Sequence, residues 1–481
     1  QLFMKTKIIA LMVACSLAMI SCGGNEDISK DVFTVTFDTD GGTPVPEPQQ
    51  VARYDFVQEP AEQPSRGEES FSGWYTQTGI KFNFKSTPVT KDITIKAHYW
   101  KGPKKYVIIN DYDWSYLQQK VHTYFGDSRG KDVAVGQGVL FYLFERPLET
   151  HKVTLKKQLA LSEQYDIPLL IQLDPITFWD GVPELWNWFD PTIAGYNEAN
   201  KENVEWTSWS SDDAVKIGWL NWGSQIRLKP MANLFSKAYQ AAVKERMQAM
   251  LSIVSNWYDS LPESKKYLLV GVKITGELGV GVNNWYYTGG NDLYSMDKSK
   301  DPKSGINMYN KPSRSNGEVS AIGYAGVKSA GIKSSGTLTG DDIAELERRF
   351  TLFVSDIADD YSIPREKLFA HAGGVDNDLA ACINDKVCPA WSFYGQDATD
   401  ASNATYCMSL LNESNAPYWG VAEWAIGSGD SADWSSGIRN AFKINKCRFL
   451  SIYTNVIGNN NGKIVNDAAV AGIKEVQNDT Y

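Results

Sequence analysis

Residues 267–277 read YLLVGVKITGE and continue through 278–287 as LGVGVNNWYY. An apolar run rises out of the helix-like stretch 236–261, reaches one carboxylate at Glu277, and gives way to glycines and aromatics. A short apolar run bounded by polar residues fits a parallel strand buried on both faces. A buried, unpaired carboxylate would cost several kcal/mol, so an acid at the end of such a strand needs a cleft that uses it.

The same pattern recurs on both sides. YVIIND ends at Asn110 and Asp111, GVLFYLFE at Glu145, and IPLLIQLD at Asp174. After the Glu277 strand, KLFAHAGG ends near His371, PAWSFYG at Tyr394, YWGVAEWAIG holds Glu423, and CRFLSIYTN ends at Asn455. Helix-like segments separate them, among them THKVTLKKQLALSEQYD and DDIAELERRFTLFVSDIADDYS, the second with Asp341 as a cap. Eight strands alternating with helices predict an α/β fold, a (β/α)8 barrel over residues 104–481. A minimal barrel needs about 250 residues. The excess falls in the loops after the third and fourth strands, on the face where barrel enzymes keep their sites.

Composition narrows the function. The chain has 481 residues, 43% hydrophobic and 22% charged, with a net charge of −10. An acidic chain lacks the basic surface that nucleic acid requires. The four histidines, His98, His122, His151 and His371, show no zinc spacing, and no P-loop or nucleophile-elbow motif is present. No metal or cofactor is expected. The 16 tryptophans and 24 tyrosines are high counts, serving either a large aromatic core or stacking on sugar rings. Trp179, Trp186, Trp188, Trp206, Trp209, Trp219 and Trp222 all follow the third strand, a density that favours sugar subsites. Trp222 and Arg227, flanking GSQ, are the expected ligand contacts there, with Trp285, Tyr286 and Tyr287 walling Glu277.

From Met4 the chain reads MKTKIIALMVACSLAMISC, two lysines before an apolar run that ends at Cys22. The layout is that of a signal peptide, too short for a spanning helix. AMISC resembles the lipobox of bacterial lipoproteins, which implies cleavage before Cys22, acylation of its thiol, and a lipid anchor in a membrane. GGNED resembles the acidic tag that sends Bacteroidetes lipoproteins to the cell surface. With Cys15 in the signal and Cys22 acylated, Cys382, Cys388, Cys407 and Cys447 remain in an exported, oxidising setting. Of three connectivities, Cys382–Cys388 with Cys407–Cys447 is the expected one.

Residues 31–100 read as a separate β-rich unit: FTVTFDTDGG, FSGWYTQTGIKFNF and STPVTKDITIKAHYW. This order closely resembles the Listeria–Bacteroides repeat, a small β-grasp-like module of bacterial surface proteins that acts as a spacer or adhesive unit. KGPKK at 101–105 is the joint.

With this strand count Glu277 closes the fourth barrel strand and Glu423 lies on the seventh. That placement resembles clan A of the retaining glycoside hydrolases, an architectural likeness over residues 104–481. It implies Glu277 as general acid/base, Glu423 as nucleophile, and Tyr394 as a hydrogen-bond donor to Glu423. Trp424 is expected to floor the sugar subsite, with Asp174 and His371 in binding or supporting roles. One departure stands out. The clan carries Asn before the acid/base, where this chain has Gly276, so Asn221 or Asn283 is expected to replace it. The expected function is a surface-anchored glycosidase acting on a polysaccharide or glycan. A non-catalytic glycan-binding lipoprotein would keep the tryptophans without needing two converging carboxylates. A polysaccharide lyase fits less well, because an acidic cleft disfavours anionic substrates.

Overall fold

The computed structural model describes residues 31–481 except 68, 101, 112–116, 217, 222–224, 281, 285–318, 374–378, 455 and 458–465. The expected signal segment with Cys22, and Trp222, Trp285, Tyr286, Tyr287 and Asn455, thus lie outside the described residues. Two compact units divide at Tyr99 and Trp100.

The first unit is a four-stranded sheet of β1 (Val32–Asp38), β2 (Gln49–Ala52), β3 (Ser70–Tyr75) and β4 (Ile93–Trp100), ordered β2-β1-β4-β3. β1 runs antiparallel to β2 and parallel to β4. Alternation along β1 sends Val35 and Phe37 inward, where they meet Trp74, Ile95 and Ala97 in a core of the module's own. Phe37 and Trp74 pack edge to face at 5.1 Å.

The second unit is built on a closed barrel of eight parallel strands: β5 (Lys105–Ile109), β6 (Val133–Tyr142), β7 (Leu169–Asp174), β10 (Leu269–Lys273), β13 (Leu368–Ala372), β14 (Cys388–Tyr394), β15 (Trp419–Ala425) and β16 (Cys447–Ile452). The helices between them, such as Leu148–Tyr165, Lys237–Ser260 and Gly340–Asp359, pack around it. This is the (β/α)8 barrel the alternation predicts. The two expected excursions carry the extra hairpins β8 (Gly218–Asn221) with β9 (Gln225–Leu228), and β11 (Val282–Asn284) with β12 (Val319–Ala321). No helix of the described residues is long and apolar enough to cross a membrane.

The barrel interior changes character along its axis. Tyr106, Ile108, Ala134, Leu170, Val270, Phe369, Ala390, Ala422 and Phe449 form an apolar plug. Toward the C-terminal ends the inward positions become Asn110, Gln172, Lys273, His371 and Ser451, all buried. The plug seals the bottom, and the polar layer floors the site.

Two expectations are corrected. Trp179, Trp186, Trp188 and Trp206 are buried in the main core rather than displayed to a ligand. Their indole N–H groups are spent on backbone carbonyls: Trp179 on Pro230, Trp186 on Trp179, Trp188 on Val215 and Trp206 on Lys201. A long excursion has few regular ladders, so large rings with one donor each supply its core. The second correction concerns the cysteines. Cys382, Cys388, Cys407 and Cys447 stand free and buried, with no disulfide between them. Cys388 belongs to the cluster inside the barrel while Cys382 belongs to the cluster outside it, so the strand wall separates the first expected pair. Of the second pair, Cys407 lies on helix Thr405–Glu413 and Cys447 begins β16.

Candidate active site

At the C-terminal end of the barrel lies a cavity of about 950 Å³, lined among others by Asn110, Asp111, Tyr142, Glu145, Asp174, Lys273, Glu277, His371, Tyr394, Glu423 and Tyr453. Most strand-end residues singled out in the sequence therefore meet in one place.

Each acid is aimed by local structure. The β7 ladder ends at Asp174, whose Oδ1 accepts from the backbone N–H groups of Ile176 at 2.7 Å and Thr177 at 3.0 Å. Its Oδ2 accepts from the Thr177 hydroxyl at 2.6 Å, so both oxygens are oriented. Beyond β10 the ladder is replaced by a side chain. The Thr275 hydroxyl donates to the His371 carbonyl at 2.8 Å and accepts from the His371 N–H at 2.7 Å. That frees the chain to turn Glu277 into the cavity. Two glycines make the space. A Cβ on Gly276 would stand 2.3 Å from Asp174 Oδ2, and one on Gly373 would stand 2.6 Å from Glu277 Oε1. Downstream, the Val280 N–H donates to Glu347 Oε1 at 2.9 Å, tying the Glu277 loop to helix Gly340–Asp359.

Glu423 is aimed by a bulge. Trp391 pairs with Val421 and Ser392 with Glu423, so Ala422 is the extra residue. The bulge swings Glu423 inward, a common use of the device beside functional sites. The Tyr394 hydroxyl donates to Glu423 Oε2. Trp424, next in the strand, points the other way. It is fully buried, its indole N–H donates to the Ala398 carbonyl at 2.9 Å, and it packs on Trp434. It cannot floor a subsite, because neighbouring strand residues alternate faces.

The Glu277 and Glu423 carboxylates converge, with an oxygen of each within 4.8 Å of the other. Burial, then the neighbouring Glu423 charge, push the Glu277 carboxyl up to about 7; the Ser392 hydroxyl bond and Lys273 act the other way. Burial also raises Tyr394, which stays a phenol able to donate.

A ring nitrogen of His371 joins the two carboxylates within the same 4.8 Å, a spacing at which three ligands can close on a cation. Its nitrogens are committed elsewhere: Nδ1 lies 3.0 Å from Lys273 Nζ and Nε2 lies 2.8 Å from Ser392 Oγ. An ammonium can only donate, which places the ring proton on Nε2 and leaves no lone pair for a metal. With Lys273 charged, the donor set does not fit a cation.

Of the expected binding residues, Asp174, His371 and Tyr394 line the cavity and Trp424 does not. Arg227 lies on β9. Asn221 and Asn283 lie on β8 and β11. Lys273 and Ser392 escaped the sequence reading. A lone lysine inside LLVGVKITGE, at a position facing the barrel interior, was the available signal for Lys273.

Residues 33–98 match the Listeria–Bacteroides repeat domain. No curated protein matches the chain. Among solved structures, the catalytic domain of beta-amylase from Paenibacillus polymyxa is similar with a TM-score of 0.44 at 10% identity, covering 78% of this chain and 98% of that one. A glycoside hydrolase family 5 enzyme from Prevotella bryantii B14 is similar at 0.36 and 9%, covering 75% and 86%. GH5_18 from Streptomyces cattleya, in complex with GlcNAc, is similar at 0.40 and 8%, covering 78% and 80%. These are distant likenesses, and the functional reading rests on the site itself.

Proposed function

We propose that this protein is a retaining glycoside hydrolase acting on a polysaccharide or glycan. One observation carries the reading: Glu277 and Glu423 bring carboxylate oxygens within 4.8 Å of each other in an open cavity. Retaining enzymes hold their two carboxyl groups about 5–5.5 Å apart, whereas inverting enzymes leave about 6.5–9.5 Å for a water.

The roles follow from the environments. Glu277, with its proton affinity raised by burial, protonates the glycosidic oxygen as that bond breaks. Glu423, its Oε2 accepting from the Tyr394 hydroxyl, attacks the anomeric carbon and forms a glycosyl ester. Glu277, now ionised, takes a proton from water, which attacks the same carbon and releases Glu423. Asp174, oriented by three donors, is placed to accept from a sugar hydroxyl.

The test is a panel of aryl glycosides and polysaccharides given to the full chain, with the anomer of the first product read by NMR. The expected result is hydrolysis with retention, lost by at least about 10³-fold in Glu423→Gln and Glu277→Gln. Near wild-type turnover in a folded Glu423→Gln protein overturns the assignment. Glycan binding with no turnover in the wild type makes the protein a non-catalytic glycan receptor instead. The lipobox motif supports anchoring at the cell surface through Cys22. Fatty-acid labelling lost in Cys22→Ala, with release into the soluble fraction, is the expected outcome.

A further inference from the structure

Lys273 is 3% exposed, an unusual place for an amine, on β10 directly beneath the two glutamates. A buried ammonium needs partners, and the group it hydrogen-bonds is neutral: His371 Nδ1 at 3.0 Å. From there the contacts run on without a break. His371 Nε2 lies 2.8 Å from Ser392 Oγ, and the Ser392 hydroxyl donates to Glu277 Oε1 at 2.8 Å. The donor inventory fixes a single direction for this chain while Lys273 is charged. The ammonium donates to Nδ1, the Nε2–H donates to the serine oxygen, and the serine O–H donates to the carboxylate. Three neighbouring barrel strands, β10, β13 and β14, supply the links.

We propose that Lys273, His371 and Ser392 form a proton-sharing wire to Glu277, in which Lys273 is a positioning residue that governs when Glu277 holds its proton. The proposal deepens the acid/base reading of Glu277 and rests on it for its catalytic meaning. The step balances within the four residues. The serine proton passes to the Glu277 carboxylate, the Nε2 proton passes to the serine oxygen, and a Lys273 proton passes to Nδ1. Glu277 is then a carboxylic acid, Ser392 donates to Nε2, and the Nδ1–H donates to the lone pair of a neutral amine. One proton has crossed from Lys273 to Glu277, and the net charge of the set is unchanged. Before cleavage begins, this store can supply the proton that Glu277 gives to the leaving group; for the second step Glu277 stays ionised and takes its proton from water.

The surroundings favour sharing over full separation of charge. Burial lowers the Lys273 ammonium and His371 is held neutral, while Glu277 is raised. The other ionisable groups described as lining the cavity are Asp174 from β7, Glu423 from β15, Tyr394 from β14, Tyr142 from β6, Tyr453 after β16, Asp111 after β5, and Glu145, Arg146 and His151 after β6. Glu423, Asp174 and Glu277 oppose the loss of the lysine proton, which keeps the transfer reversible.

The test follows the Glu277 carboxyl carbon itself by NMR through a pH titration of the full chain carrying carbon-13 glutamate, the signal assigned with Glu277→Gln. It needs no turnover, so a protein that hydrolyses nothing still answers it, and the two readings fail separately. The expected result is an upward shift of the Glu277 midpoint by at least about one pH unit in Lys273→Met and in Ser392→Ala. Lys273→Met added to Ser392→Ala should then shift it little further, because the wire is already cut. A full additional shift in the double variant means that the lysine charge acts through space and overturns the wire. An unmoved midpoint in folded Lys273→Met overturns it as well. Should Lys273→Met fail to fold, an unmoved midpoint in Ser392→Ala decides against the proposal alone.

Discussion

Gly276 has no room for a side chain, because Asp174 Oδ2 already occupies the place a Cβ would need, 2.3 Å away. The asparagine that the resemblance calls for at this position is therefore excluded by a carboxylate from the neighbouring strand. Gly276→Asn should lose activity and cost about 1–3 kcal/mol by overpacking, read as a lowered Tm, with part of the loss recovered in an Asp174→Ala background. Glu277 makes the opposite prediction for stability. Its carboxyl is raised from 4.5 to about 7 in the folded protein. Between those values the folded state binds the proton more tightly than the unfolded chain, so stability falls as pH rises through that window. Glu277→Gln removes the ionisation. It should raise stability at pH 8 by up to about 3 kcal/mol while abolishing turnover, and change little at pH 4. In the wild type, kcat/KM should fall above about pH 7 as the acid form is lost. Thermal melts at the two pH values and a pH–rate profile check both.

Elements hold these residues in place from a distance. Glu205, fully buried in the excursion after β7, accepts from the backbone N–H groups of Gly323 at 2.9 Å, Ala325 at 3.1 Å and Gly326 at 3.0 Å. It latches the loop after the third barrel strand to the loop after the fourth, the one that carries Glu277. Gly326 permits the approach, since a Cβ there would meet Glu205 Oε1 at 2.7 Å. Glu205→Ala strands three buried donors, so it should cost about 3 kcal/mol or more and expose the region 320–330 to limited proteolysis before global unfolding. Helix Gly340–Asp359, which anchors the Glu277 loop through Glu347, begins with a capping box of Thr339 and Asp342. Thr339→Ala should lower stability by about 1 kcal/mol.

The molecule as a whole is two independently cored units. The module's Val35, Phe37 and Trp74 pack among themselves, and the residues described as lining the barrel site all belong to the second unit. Residues 100–481 alone should hydrolyse small soluble substrates within about twofold of the full chain; a larger loss would give the module a part in the site. The sequence by itself determined the barrel, the place of the two long excursions, and the strand-end positions of Asp174, Glu277, His371, Tyr394 and Glu423. Apolar runs that stop at polar residues are dictated by burial on both strand faces, a one-dimensional signal. Only the tertiary structure decided which way each side chain points. A single extra residue at Ala422 brings Glu423 inward and Trp424 into the core, and the strand wall keeps Cys382 from Cys388. The tryptophan-rich excursion buries its rings because a loop of that length needs a core of its own. Lys273, His371, Ser392 and Glu277 are joined by contacts across three strands, up to 115 residues apart in the chain, and no local pattern encodes such a set.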